Sequence, residues 1–191
     1  MVSWRRIIYL FQCIFAVGLQ FTSISTNFWN KCEFISPRTN DTNTTSIVRY
    51  THGLWRECRE IHKQTDVECY DNPWTIIEKE PGWSKFVKAL AVISCMTIFF
   101  AGILSFLQLF TKTILIPSPF FCFMSGAFML CAVGIYAKNG LYGHRCTNYS
   151  FEWSFATGCT GAATACWTSV FGVIVYRKEM NIINAARENM Q

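Results

Sequence analysis

Charge is scarce in this chain. Asp, Glu, Lys and Arg make up 15% of its 191 residues, against roughly a quarter in an ordinary soluble domain. The formal net charge is only +5, and no Lys/Arg cluster is long enough to point to nucleic acid. No segment is low in complexity. No unit of about 20–50 residues repeats, which sets aside solenoids and propellers. What fills the chain instead is apolar and aromatic: 51% hydrophobic residues, with 17 Phe, 7 Trp and 7 Tyr.

Four runs, at 7–28, 89–110, 114–137 and 153–176, contain no Asp, Glu, Lys, Arg or His. Each reaches the roughly 20 apolar residues that a bilayer crossing needs. Arg5-Arg6 ahead of the first run is also how a signal peptide begins. The run exceeds the usual apolar core of about 7–15 residues and has no small-x-small site after it, so a retained helix is expected. Membrane segments are therefore expected at 7–28, 86–111, 114–137 and 153–176. They would be joined by a large loop (29–85), a tight turn and a short loop (138–152), and followed by a tail (177–191), all in one domain.

Arg5, Arg6, Lys112, Arg177 and Lys178 flank the ends expected to face the cytosol, while Lys138 and Arg145 oppose the trend. The three Asn-x-Ser/Thr sequons, at Asn40, Asn43 and Asn148, all fall on the other side. Both tests place the termini in the cytosol and the two larger loops outside the plasma membrane. Asn148 lies closest to the membrane; Asn40 and Asn43 are the more accessible acceptors.

Intramembrane ionisable residues mark proton relays and transport paths. Here only Lys88 and Glu152 come near, at helix ends from which they can snorkel to the headgroups. No Ser-His-Asp set, carboxylate pair or phosphate loop occurs in the membrane segments. An enzyme or secondary transporter is not expected, and neither catalytic residues, cofactor nor metal are assigned.

Six of the ten cysteines (Cys13, Cys95, Cys122, Cys131, Cys159, Cys166) fall in the apolar runs and read as small buried hydrophobes. Cys32, Cys58, Cys69 and Cys146 lie in the outer loops, where oxidation favours disulfides. Four cysteines allow three connectivities; Cys58–Cys69 is the local choice, leaving Cys32–Cys146 to tie the loops together. A zinc site from Cys58, Cys69, His52 and His62 has the wrong spacing for common structural zinc. "SIVRYT" (46–51), "GLWREC" (53–58) and "VECY" (67–70) read as short strands between turn formers, with "LYGHRC" (141–146) as a candidate addition.

Trp29, Gly53-Leu54-Trp55, Cys58 and Cys69 resemble the W…GLW…C…C signature of the claudin superfamily, which includes the peripheral myelin, epithelial membrane and lens fibre proteins and channel gamma subunits. Lys88 stands where claudins usually carry arginine, and "YSFEWSF" (149–155) is similar to the lead-in to helix four in several branches. The resemblance spans the whole chain. It implies a mainly α membrane protein: a left-handed four-helix bundle carrying a five-stranded extracellular sheet. Cys58–Cys69 would be bonded inside that sheet, and Trp29, Gly53, Leu54 and Trp55 would anchor it. The stretch between Trp29 and Gly53 is long for the family. The ending "RENMQ" lacks a Tyr-Val motif, and no cysteine follows helix two or four for palmitoylation.

Two functions share this scaffold. One is a structural protein of cell–cell contacts, at or near tight junctions, binding itself or related tetraspans along or across membranes. The other is an auxiliary subunit of a channel or receptor, or an epithelial-membrane-protein-like regulator. Small residues in "GCTGAATAC" (158–166), with Gly126 and Gly134, fit internal helix packing better than an outward dimer face. The large loop, with eight Lys/Arg and nine Asp/Glu over 29–85, gives no charge selectivity. The tail is expected to prolong helix four by two or three turns.

Overall fold

The computed structural model describes residues 4–37, 45–61, 67–70, 81–110, 117–140 and 148–188. Four helices, α1 (Trp4–Ser25), α2 (Gly82–Phe110), α3 (Pro117–Gly140) and α4 (Trp153–Glu188), are each long and apolar enough to cross a membrane. α1 packs on α2 and α4, and α3 closes the ring against the same two. Pro117 and Pro119 sit in the first turn of α3, where the missing N–H groups would have had no helical partner anyway. The 36 residues of α4 rise about 54 Å, well past the roughly 30 Å of hydrocarbon. Its last turns are the continuation that the tail sequence suggests.

The inward face of α2 is Ser84, Val87, Ala91, Ser94, Ile98, Ala101 and Ser105, alternately three and four residues apart. α1 repeats the spacing with Tyr9, Cys13, Ala16, Gln20 and Ser23. α3 does so from Ser118 and Cys122 to Tyr136, and α4 from Ser154 and Gly158 to Val175. A period of 3.5 stays in register only when helices wrap around one another with a left-handed twist.

Much of the stripe is Ser, Ala, Gly and Cys, so the backbones approach closely there. A Cβ on Gly158 would lie 2.7 Å from Ser23 Oγ, and one on Gly172 2.6 Å from the Tyr9 ring; one on Gly126 would strike Cys166 and Ala162. The glycines of "GCTGAATAC" thus serve the bundle's own packing, whereas Gly134 faces open space. Short polar groups bond across the seams. The Ser94 and Ser125 hydroxyls lie 2.8 and 3.1 Å from Gln20 Oε1, and Tyr9, Ser118 and Ser105 form a second chain. Large side chains such as Phe11, Phe15, Phe99, Phe100 and Phe110 point outward.

At one end of the bundle stands an antiparallel sheet of five strands: β1 (Asn30–Pro37), β2 (Thr45–His52), β3 (Glu57–Ile61), β4 (Val67–Tyr70) and β5 (Asn148–Phe151), in the order β4-β3-β2-β1-β5. One sequence expectation is corrected here. Residues 53–56 of "GLWREC" form no strand; they are the connection between β2 and β3. The expected strand at 141–146 lies outside the described residues. From the second loop the described residues contribute Asn148–Phe151, whose Tyr149 and Phe151 alternate with polar neighbours in the strand period.

Candidate functional site

The sheet meets the bundle at a seam built around the end of α1. A helix leaves its last four carbonyls without helical partners. Three of those carbonyls are taken by side chains. Thr22 O accepts from Thr26 Oγ1 at 2.9 Å. Ser23 O accepts from the indole N–H of Trp29 at 2.7 Å and from Ser154 Oγ at 3.1 Å. Ile24 O accepts from the indole N–H of Trp55 at 2.8 Å. Two tryptophans from different strands' flanks therefore cap one helix.

Trp29 is fully buried. Its ring lies edge-on to Tyr136 at 4.8 Å and to Phe155 at 5.9 Å, in a cluster with Leu54, Val87, Ala91, Met129 and Ala162. Its backbone N–H donates to His52 O, and its carbonyl accepts from Glu152 N–H, so one residue touches β2 and the start of α4. Next to it, Asn30 Nδ2 donates to the hydroxyls of Tyr136 and Tyr149 at 2.9 and 3.1 Å. Trp55 is 40% exposed, with Lys88 Nζ 5.6 Å from its ring centre. That pairing fits the interface, where indole and ammonium both prefer to sit.

Gly53 closes the arrangement. A Cβ there would lie 2.5 Å from Asn27 Cα and 2.9 Å from Thr26 O. The connection from α1 to β1 passes over this backbone too closely for any side chain. The Gly53 N–H also bonds Arg56 O at 2.8 Å, turning the chain from β2 into β3. Gly53, Leu54 and Trp55 thus have separate tasks: clearance, core filling and capping.

Cys58 and Cys69 face each other in the β3–β4 register and are disulfide-bonded, with Cα atoms 4.1 Å apart. The bond consumes both thiols that a zinc site would need; His62 lies outside the described residues. Cys32 is buried and disulfide-bonded, and Cys146, its expected partner, lies outside the described residues. Cys58→Ser or Cys69→Ser is expected to remove about 2–4 kcal/mol and sharply reduce the fraction at the cell surface. Surface biotinylation checks this; wild-type surface levels would refute it.

Directly opposite one another at the ends of β2 and β3 are His52 and Glu57. They are 5% and 3% exposed, with Nδ1 and Oε2 3.7 Å apart. Burial pushes the Glu57 carboxyl from 4.5 up to about 7. Its neutral form is favoured in the fold, so its stabilising contribution is complete below 4.5 and is lost as pH rises through 7. Glu57→Gln should therefore melt a few degrees above the parent at pH 8, with the difference vanishing near pH 4.5. Melting curves in detergent across that range test it. A variant less stable than the parent at pH 8 would instead mean that the pair folds as an ion pair.

Of the sequons, Asn40 and Asn43 lie outside the described residues. Asn148 begins β5, opposite Glu33, and its side chain bonds the Glu33 carboxylate. Lys31 and Arg49 also pair with that carboxylate at 3.0 and 3.2 Å and hold its pKa below the usual range.

At the far end of the bundle the structure joins residues that sequence reasoning left apart. Arg6 Nε and Nη2 grip both oxygens of Glu179 at 2.6–3.0 Å, while Nη1 donates to Gln108 O at 2.7 Å. This partly buried clamp fastens the start of α1 to the end of α2 and to the α4 extension. In the sequence Arg6 reads only as a topology signal, and nothing local links it to Glu179.

Among the described residues no three of His, Cys, Asp or Glu come together as a metal site would require. The architecture is a tetraspan bundle capped by a disulfide-bonded sheet, with the W…GLW residues at the seam. A comparison with curated proteins returns no match. A sequence model of the PMP-22/EMP/MP20/Claudin family matches residues 6–175, covering the sheet and most of each of the four helices. The chain is a multi-pass membrane protein that belongs to the PMP-22/EMP/MP20/Claudin family.

Proposed function

We propose that this protein is a structural, adhesive component of cell–cell contacts, acting through self-association and through its outer sheet and loops, without a catalytic role. In this reading the sheet is extracellular, both termini are cytosolic, and the protein resides in the plasma membrane at junctions. The carrying observation is the sheet's attachment. A disulfide-bonded five-stranded platform is locked to the bundle by Trp29 and Trp55. The strands are therefore held at a fixed height and angle to the bundle, as a surface that must meet a partner across a gap requires. The disulfides support the extracellular side, since such bonds persist where the environment is oxidising. Glycans belong, on this reading, at Asn40 and Asn43.

The test is localisation in mixed cultures of cells lacking related tetraspans, some expressing a tagged copy and some not. Enrichment only where two expressing cells touch supports homophilic contact. Uniform surface staining overturns the junction reading and turns the search toward a channel or receptor partner.

A further inference from the structure

The outer surface of the bundle carries a groove of about 300 Å³ between α3 and α4, walled by Pro119, Phe120, Phe123, Ser169, Val173 and Tyr176. It lies toward the end away from the sheet. Its height is fixed by α4. Trp153 opens that helix at the sheet end, and Tyr176 follows 23 residues later, a rise of about 34 Å that brings it to the opposite headgroup boundary. The groove's body is therefore in hydrocarbon and its Tyr176 end is at the interface.

The chemistry of the two ends differs. Along its length the walls are rings and a branched side chain: Pro119, Phe120, Phe123 and Val173. At the interface stand the Tyr176 hydroxyl and then the exposed Arg177 and Lys178. Tyr176 and Pro119 also line the adjoining pocket that holds Arg6 and Glu179, so the polar clamp begins where the groove ends. Its place in hydrocarbon, with a polar rim at one end, favours a membrane lipid as the occupant. A flexible acyl chain gains little there, because lipid tails are as apolar as the groove. A rigid, flat molecule gives up less conformational freedom on seating against flat walls. Its single small polar group should point to the interface.

We infer that this groove is a binding site for a sterol, with its ring system between Phe120, Phe123 and Val173 and its hydroxyl at Tyr176. The same residues carry a matching sequence pattern. Val173-x-x-Tyr176-x-Lys178 fits the short Val/Leu…Tyr…Lys/Arg pattern associated with cholesterol contact. That pattern is common by itself; here its Val and Tyr form the wall and rim of a groove.

The experiment uses the full chain in cell membranes, with a photoreactive, alkyne-tagged cholesterol probe and mapping of the labelled peptides. Label is expected on segments 119–123 and 169–176. It should be competed by cholesterol and reduced severalfold by Val173→Trp, which fills the groove, and by Phe123→Ala, which removes a wall. Val92→Trp, on the exposed face of α2, should leave the label unchanged. Both groove residues face outward, so surface delivery of each variant reports that it has folded. Labelling spread over all four helices, indifferent to Val173→Trp and Phe123→Ala, or displaced equally well by added phospholipid would overturn the sterol site.

Discussion

Replacing Trp29 with alanine is expected to cost about 3–5 kcal/mol of stability, the range for deleting a large buried aromatic, and to hold most of the chain inside the cell. The ring is fully buried against Tyr136 and Phe155, so its loss leaves a cavity where sheet, α3 and α4 meet. The indole N–H is the second component. Without it, Ser23 O keeps only the Ser154 hydroxyl. Trp29→Phe separates the two effects, retaining most of the packing while losing the cap, and should cost about 1–2 kcal/mol. Unfolding titrations in mixed detergent micelles, together with surface biotinylation, give the comparison. Equal losses for the two variants would show that the hydrogen bond, not the packing, dominates.

Gly53→Ala is the second large effect, and it comes from a single methyl group. That carbon would have to occupy space 2.5 Å from Asn27 Cα. Since the obstacle is backbone, no rotamer change can relieve it. The β2–β3 connection must lift away from the end of α1, which draws the Trp55 indole off Ile24 O. Overpacking of this kind costs about 1–3 kcal/mol, sometimes more, and here a cap is lost with it. Gly18→Ala supplies the control, because nothing lies within 4 Å of a Cβ there. In that helix interior alanine should be neutral or favourable by up to about 1 kcal/mol. If Gly53→Ala and Gly18→Ala express and melt alike, the close approach is not what Gly53 is for.

The parts of this fold that were legible in the sequence are those written in contiguous residues. Four uncharged runs mark four crossings. "SIVRYT" and "VECY" show their strands through β-branched and aromatic content, and the spacing of Cys58 and Cys69 fits their ribbon. β1 escaped a residue-level reading because "NKCEFISP" mixes charge, cysteine and proline, and it forms by pairing with β2 and β5 on either side. "GLWREC" misled in a different way. Its apolar residues suggest a strand, yet Leu54 and Trp55 are apolar because they dock on the bundle from a turn. The seam itself was visible only as a resemblance, since the carbonyls that the two indoles cap belong to residues with no distinctive side chain. The Arg6–Glu179 clamp spans 173 positions and leaves no local trace. The 3.5-residue stripe of Ser, Ala, Gly and Cys was readable in principle, but uniform hydropathy around α2 and α3 hides it from any search for apolar periodicity.

That stripe inverts the usual map of mutational tolerance. In a soluble protein the surface accepts almost any side chain and the core accepts apolar ones of similar volume. Here, away from the groove of Phe120 and Phe123, the outward phenylalanines meet fluid lipid, which adapts to any apolar shape, so exchange among Phe, Leu, Ile and Val should pass unnoticed there. The interior is set by the distance between backbones, so even Ala to Val at Ala91, Ala101, Ala162 or Ala165, all fully buried, pushes two helices apart. Inherited changes that damage such a chain should therefore concentrate among its smallest and least conspicuous residues, where a substitution adds only a few atoms.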